Sequence, residues 1–201
     1  MIKILIAEDQ SMVLGALSAL VDLEVDMQVV ATAVNGIEAL QYCETEDVDV
    51  VITDIEMPKM NGLELAKQLH EIQHPAKVIM LTTFSRGGYV RQAMDTKVSA
   101  YLLKDAPASE LAQSIRLVVS GGTMIAPELM REAWQSGANP LSDKEQKILI
   151  RVLKGISTDT IAQQLCLSIG TVRNYIHSSC QKLDVKNRVE AAVLAQEKGW
   201  L

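Results

Sequence analysis

Four apolar runs in this chain end in side chains suited to phosphate or metal chemistry. Val48-Asp49-Val50-Val51-Ile52-Thr53 closes on Asp54, and Ile2-Lys3-Ile4-Leu5-Ile6-Ala7 closes on Glu8-Asp9. Lys77-Val78-Ile79-Met80-Leu81 leads into Thr82, and Tyr101-Leu102-Leu103 into Lys104. In an open parallel sheet, ligands collect just beyond the carboxyl ends of the strands. If these runs are such strands, three carboxylates, one hydroxyl and one ammonium converge on one crevice.

That set suits phosphoryl transfer. Glu8, Asp9 and Asp54 are hard oxygen ligands, and Mg2+ prefers one or two carboxylates completed by waters and phosphate oxygens. With the metal and Lys104 neutralising charge, a carboxylate oxygen of Asp54 can attack an incoming phosphoryl group in line and form an aspartyl phosphate.

In order and spacing, residues 1–120 resemble the receiver domain of two-component response regulators. The resemblance implies Asp54 as phosphoacceptor, with Mg2+ held by Glu8, Asp9, Asp54 and the backbone carbonyl of Glu56. It implies Thr82 as the switch hydroxyl, with Thr83 beside it, Lys104 as the partner of the phosphoryl group, and Tyr101 at the aromatic switch position. Met57-Pro58 and Asn61-Gly62 fit the loop after the acceptor.

These residues need a scaffold, and the patterning supplies one. Strand-like runs alternate with amphipathic stretches as far as Val119, with helices expected near Met12–Leu23, Gly36–Cys43, Leu63–Ile72, Tyr89–Asp95 and Ser109–Val119. Val29-Val30-Ala31 supplies the remaining strand, giving a flavodoxin-like, five-stranded parallel α/β domain. Ser120-Gly121-Gly122 stops the last helix, and residues 121–139 are expected as a linker with a short helix starting at Ala126-Pro127. The paired glycines of Ser85-Arg86-Gly87-Gly88-Tyr89 suit a loop that rearranges when Thr82 moves.

From Pro140 to Leu201 the pattern is all-helical. Ser142 and Glu145 form a capping box ahead of Ile148, Leu149, Val152 and Leu153, and Gly155 ends that helix. A second helix is expected from Thr158 to Leu165, and Ser168 caps a third that turns Val172, Ile176 and Leu183 inward. Two short helices joined by Cys166-Leu167-Ser168 make a helix-turn-helix. The segments Leu141-Ser142-Asp143-Lys144-Glu145, Ile161-Ala162-Gln163-Gln164-Leu165, Ser168-Ile169-Gly170-Thr171-Val172-Arg173-Asn174 and Lys182-Leu183-Asp184-Val185-Lys186-Asn187-Arg188 resemble the LuxR-type DNA-binding domain. A receiver followed by such a domain defines the NarL/FixJ family of response regulators. Ala7-Glu8-Asp9-Gln10 and the stretch from Leu81 to Tyr89 are further similar to its DesR-like branch, which is paired with membrane-embedded kinases.

The resemblance implies a cytoplasmic transcription factor that is phosphorylated by a sensor histidine kinase and binds double-stranded DNA as a homodimer. Arg173, Asn174 and His177 should face outward, since Val172 and Ile176 face inward. Arg can read guanine and Asn adenine, whereas Lys182, Lys186 and Arg188 suit phosphates. Thr171 completes the candidate DNA-binding set, and Val189 and Val193 are candidates for a dimer contact. Tyr175 stands where the family usually has His, and Gly170 weakens the first turn of the recognition helix by about 1 kcal/mol relative to Ala.

Composition agrees with this division. The formal charge of −6 is uneven: residues 1–139 hold 10 Lys and Arg against 19 Asp and Glu, whereas residues 140–201 hold 9 against 6. An acidic body with a basic end fits a regulated nucleic-acid binder. No apolar stretch reaches the roughly 18–20 residues that span a bilayer, and the N-terminus lacks the features of a signal peptide. Cys43, Cys166 and Cys180 lack metal-ligand spacing and suit reduced thiols.

Two other functions compete. Asp54-Ile55-Glu56 would also suit a phosphohydrolase of the haloacid-dehalogenase type, but the chain has no spare segment for a substrate cap. A constitutive DNA-binding protein would not need the full acidic, hydroxyl and lysine set. Alone, Glu8-Asp9 would be a solvated turn and Thr82-Thr83 a strand-end cap; it is their company that argues for chemistry.

Overall fold

The computed structural model describes residues 1–83, 87–135 and 138–201. The chain forms two compact units, one made of Met1–Ser85 with Val90–Glu132 and the other of Arg86–Tyr89 with Ala133–Leu201. The expected rearranging loop at Ser85–Tyr89 falls partly outside the described residues, as do Ser136 and Gly137 of the expected linker.

In the first unit the strands are β1 (Ile2–Ala7), β2 (Met27–Ala33), β3 (Val50–Asp54), β4 (Lys77–Thr82), β5 (Ala100–Leu103) and β6 (Met124–Ile125). They lie in the order β2-β1-β3-β4-β5-β6, every pair parallel. Between them run α1 (Ser11–Asp22), α2 (Gly36–Thr45), α3 (Gly62–Glu71), α4 (Gly87–Asp95) and α5 (Ala108–Val119), and α6 (Pro127–Gln135) follows β6.

One face of the sheet packs Ile4, Ile6, Val50, Ile52, Ile79, Leu81 and Leu102 against Val21 of α1 and Leu111, Ile115 and Val118 of α5. The alternate residues Leu5, Val51, Met80 and Tyr101 are also buried, as they must be when helices cover both faces of a parallel sheet. That double burial explains the continuous apolar runs.

Six strands replace the expected five. Gly121, at φ +90°, reverses the chain after α5, and the Met124 and Ala126 amides then bond Ser99 O and Tyr101 O along β5. A two-residue strand carries too little periodicity to be read from sequence. Part of the segment expected as linker therefore completes the sheet, and its short helix forms at α6.

The second unit comprises α7 (Asp143–Leu153), α8 (Thr158–Gln164), α9 (Ile169–Leu183) and α10 (Arg188–Glu197). Ser142, Ser157, Ser168 and Asn187 cap the four N-termini by accepting backbone N–H bonds. Leu141, Ile148, Leu149, Ile161, Val172, Leu183, Ala191 and Trp200 share one core. Gly155, at φ +71°, ends α7, and Cys166, at φ +52°, makes the turn between α8 and α9.

Candidate functional site

Strand order reverses at β1, which lies between β2 and β3, so the crevice of the sheet opens at the carboxyl ends of β1 and β3. Ala7 pairs with Thr53, which sets Glu8 level with Asp54. Glu8, Asp9 and Asp54 each offer an oxygen within 4.8 Å of the others. Glu8 and Asp54 are buried, Asp9 exposed.

Lys104 reaches both buried carboxylates. Its Nζ lies 2.6 Å from Glu8 Oε2 and 2.9 Å from Asp54 Oδ2, with the lysine side chain only 8% exposed. Asp54 Oδ1 accepts the Ile55 amide at 2.7 Å, and Glu8 Oε1 accepts the Gln10 amide at 3.2 Å. Apart from the lysine ammonium, Glu8 Oε2 has no partner among the described residues.

Burial, joined by the charge of Asp54, raises the Glu8 carboxyl above its ordinary value even though Lys104 opposes the shift. Burial pulls Lys104 down, but its bonds to Glu8 and Asp54 prevail and hold the ammonium above the usual lysine value. Three carboxylates against one ammonium leave two formal negative charges in a space a few ångströms wide. Such a hard-oxygen set fits a divalent cation.

The remaining predicted residues lie at neighbouring strand ends. Thr82 is buried at the end of β4, and its carbonyl accepts the Lys104 amide at 2.8 Å. Thr83 is exposed just beyond it, and Glu56 is exposed just beyond Asp54. Tyr101 is fully buried in β5.

The loop after Asp54 is held from two sides. Lys59 adopts φ +67°, and the Gly36 amide of α2 donates to Met60 O at 2.9 Å. Asn61 and Glu64 then form a capping box at the start of α3. Gly62 donates its N–H to Ile55 O at 3.0 Å, and any Cβ there would collide with the Asp54 carbonyl oxygen.

In the second unit, Arg173, Asn174 and His177 are exposed along α9, as their spacing predicts. Thr171 is half-buried, and its hydroxyl lies 2.8 Å from Ser168 Oγ at the helix cap. Lys186 is exposed, whereas Arg188 Nη1 donates to Thr158 Oγ1 at 3.0 Å. Lys182 is exposed, and its Nζ donates to Glu145 Oε2 at 2.7 Å.

Residues 4–116 match the response regulator receiver domain, and residues 139–195 match the bacterial regulatory proteins of the LuxR family. The chain belongs to the NarL/FixJ-type response regulators. This regulator is 49% identical over 200 residues to the transcriptional regulatory protein DesR of Bacillus subtilis, covering 100% of this chain and 99% of that protein. It is 48% identical over 201 residues to the transcriptional regulatory protein YvfU of the same organism, covering 100% of both chains. Among solved structures, the response regulator ChrA of a heme-sensing two-component system aligns with a TM-score of 0.59 at 29% identity, over 100% of this chain and 98% of that one. The RcsB–DNA complex aligns at 0.66 over 98% of both chains, and at 22% identity it supports the fold alone. These families are DNA-binding transcriptional regulators, not enzymes, which removes the phosphohydrolase alternative.

Two features of the regulator escaped the sequence reading. Glu145 was legible as half of a capping box, but it also accepts Ser178 Oγ at 2.7 Å and the Lys182 ammonium, tying α7 to α9. Arg151 of α7 donates from Nε to Gln164 Oε1 of α8 at 3.0 Å. Both links join residues whose pairing depends on how the helices pack.

Proposed function

We propose that this regulator is a cytoplasmic transcription factor switched by Mg2+-dependent phosphorylation of Asp54 by a sensor histidine kinase, the phosphorylated form binding double-stranded DNA as a homodimer. The observation that carries this reading is the lysine ammonium shared by Glu8 and Asp54 beside Asp9. An aspartyl phosphate forms on a carboxylate nucleophile, and fixed positive charge beside it stabilises the transferring phosphoryl group.

In this scheme one Asp54 carboxylate oxygen attacks phosphorus of a phosphohistidine. The new P–O bond forms as the P–N bond breaks, and the imidazole leaves with the bonding electrons. Glu8, Asp9, Asp54 and the Glu56 carbonyl would hold the cation, which neutralises charge on the phosphoryl oxygens when bound. Lys104 turns from Asp54 to a phosphoryl oxygen, and the Thr82 hydroxyl donates to another. Movement at Thr82 carries to the segment after β4 and to Tyr101, and the altered face favours dimerisation. The dimer then presents two α9 helices to two DNA half-sites.

Incubation with Mg2+ and acetyl phosphate, beside an Asp54→Ala variant, tests this directly. One stoichiometric, Asp54-dependent phosphate with a shift towards dimer is expected. No uptake, with DNA binding unchanged, would point instead to a constitutive regulator.

A further inference from the structure

The helix-turn-helix of this regulator is short of positive charge. Residues 157–183, which span its two helices, contain only Arg173 and Lys182 as lysine or arginine. Lys182 donates its ammonium to Glu145, itself only 2% exposed, so one of those two cations is already engaged. α8 has no lysine or arginine and carries Asp159 in its first turn. Yet the first helix of such a motif crosses the phosphate backbone, and cations on phosphates supply most of the sequence-independent affinity.

The missing charge lies one helix earlier. Lys144, Lys147, Arg151 and Lys154 follow one another along α7 and its C-cap at helical spacing, so they form a single stripe. They make up four of the nine lysines and arginines in residues 140–201. Lys144, Lys147 and Lys154 are exposed.

Arg151 links this stripe to α8. Nε donates to Gln164 Oε1 at 3.0 Å, and Nη1 donates to Lys147 O at 2.7 Å. The two bonds fix the plane of the guanidinium, and among the described residues Nη2 has no partner. Gln164 is the last residue of α8, four before the Ser168 cap of α9. A guanidinium with a fixed plane and a donor to spare is suited to a phosphate oxygen.

We infer that Arg151, held against α8 by Gln164, is a DNA phosphate contact that supplies to the helix-turn-helix the cation α8 lacks, with the α7 stripe extending that track along the backbone. The inference rests on the DNA-binding reading above and adds a contact outside the two helices of the motif. Its recognition is of phosphate, so it strengthens binding to all sequences alike and leaves base preference to α9.

The test measures affinity of the full chain for a mixed-sequence DNA duplex across a range of salt concentrations, with and without acetyl phosphate. Arg151→Gln should weaken binding and lower the slope of log affinity against log salt by about one. The double variant Arg151→Gln with Gln164→Arg moves the cation onto α8 and should restore the slope. Arg173→Ala is the control for the recognition helix, and thermal midpoints monitor folding. If Arg173→Ala weakens binding while Arg151→Gln leaves the slope unchanged, the inference falls and the stripe is a solvated face. A slope lost in Arg151→Gln and not recovered in the double variant also overturns it, because Arg151 would then act only through helix packing. Absence of salt-dependent binding in the unaltered protein would sink the DNA-binding reading itself.

Discussion

Glu145 and Lys182, 37 residues apart in sequence, meet at 2.7 Å between Oε2 and Nζ in the second unit. The carboxylate is only 2% exposed and also accepts the Ser142 amide at 2.7 Å, Ser142 Oγ at 2.8 Å and Ser178 Oγ at 2.7 Å. One buried anion thus caps α7 and holds the C-terminal half of α9, the helix that presents Arg173 and Asn174. Recognition-helix orientation and core stability share a single group.

Lys182→Met should therefore destabilise the second unit by about 1–3 kcal/mol, because it leaves a buried carboxylate without its cation. Urea unfolding followed by tryptophan fluorescence is the measurement, since Trp200 is buried in that core. An unchanged midpoint would show the pair to be energetically idle.

The same pair gives an acid-side dependence. Burial pushes the Glu145 carboxyl up, but the Lys182 ammonium and the Ser142 and Ser178 bonds outweigh it and hold it at about 2 against an ordinary 4.5. A folded value below the unfolded one means that the contribution is fully present above pH 4.5 and is lost as pH falls towards about 2. Its size should be about 1–2 kcal/mol, because the lysine is partly solvated and screened. Glu145→Gln should flatten the stability of the second unit across that window, and a variant as acid-sensitive as the unaltered protein would refute the assignment.

Two glycines should respond in opposite directions. At Gly62 a methyl group would strike the Asp54 carbonyl, so Gly62→Ala should cost about 2 kcal/mol or more and slow phosphate uptake by displacing the acceptor. At Gly170 the nearest atom to an added Cβ is Ser168 Oγ at 3.7 Å, an ordinary contact. Gly170→Ala should stabilise the second unit by up to about 1 kcal/mol. Thermal unfolding of both variants, with phosphate incorporation for the first, decides each case.

The strand ends carrying Glu8, Asp9, Asp54, Thr82 and Lys104 were legible because each follows an uninterrupted apolar run, and strands buried on both faces leave that mark. Ser142, Ser157, Ser168 and Asn187 announce helix starts through local chemistry that needs no tertiary context. β6 was not legible, because Met124-Ile125 owes its strand to the edge of β5 and not to its own pattern. The bond between Lys182 and Glu145 was not legible, because nothing in the local sequence shows that a carboxylate 37 residues away would engage the lysine. Pairings set by how helices stack stay hidden until the stacking is known.

On the proposed reading Asp54 takes the phosphoryl group and Thr82 acts only in the switch. Its hydroxyl is not the nucleophile, so Thr82→Ala should still take up one phosphate at Asp54 while losing most of the shift towards dimer. Phosphate stoichiometry and sedimentation on one sample distinguish the two effects. Full dimerisation of the variant would remove Thr82 from the switch.

Lys104→Met offers the sharpest test of the acidic site. Without the ammonium at 2.6 and 2.9 Å, Glu8 and Asp54 would face each other with no compensating charge. In metal-free buffer the first unit should lose about 1–3 kcal/mol. The Glu8 carboxyl, already raised by burial, should rise further. A raised folded value means that this group removes stability as pH climbs from its ordinary 4.5 through the folded value. Mg2+ should recover more stability in the variant than in the unaltered protein, because the cation no longer competes with Lys104. Both proteins should bind it less tightly as falling pH protonates Glu8. Thermal midpoints with and without Mg2+ at two pH values measure all of this. A smaller Mg2+ increment in Lys104→Met than in the unaltered protein would show that Lys104 and the metal do not share these carboxylates.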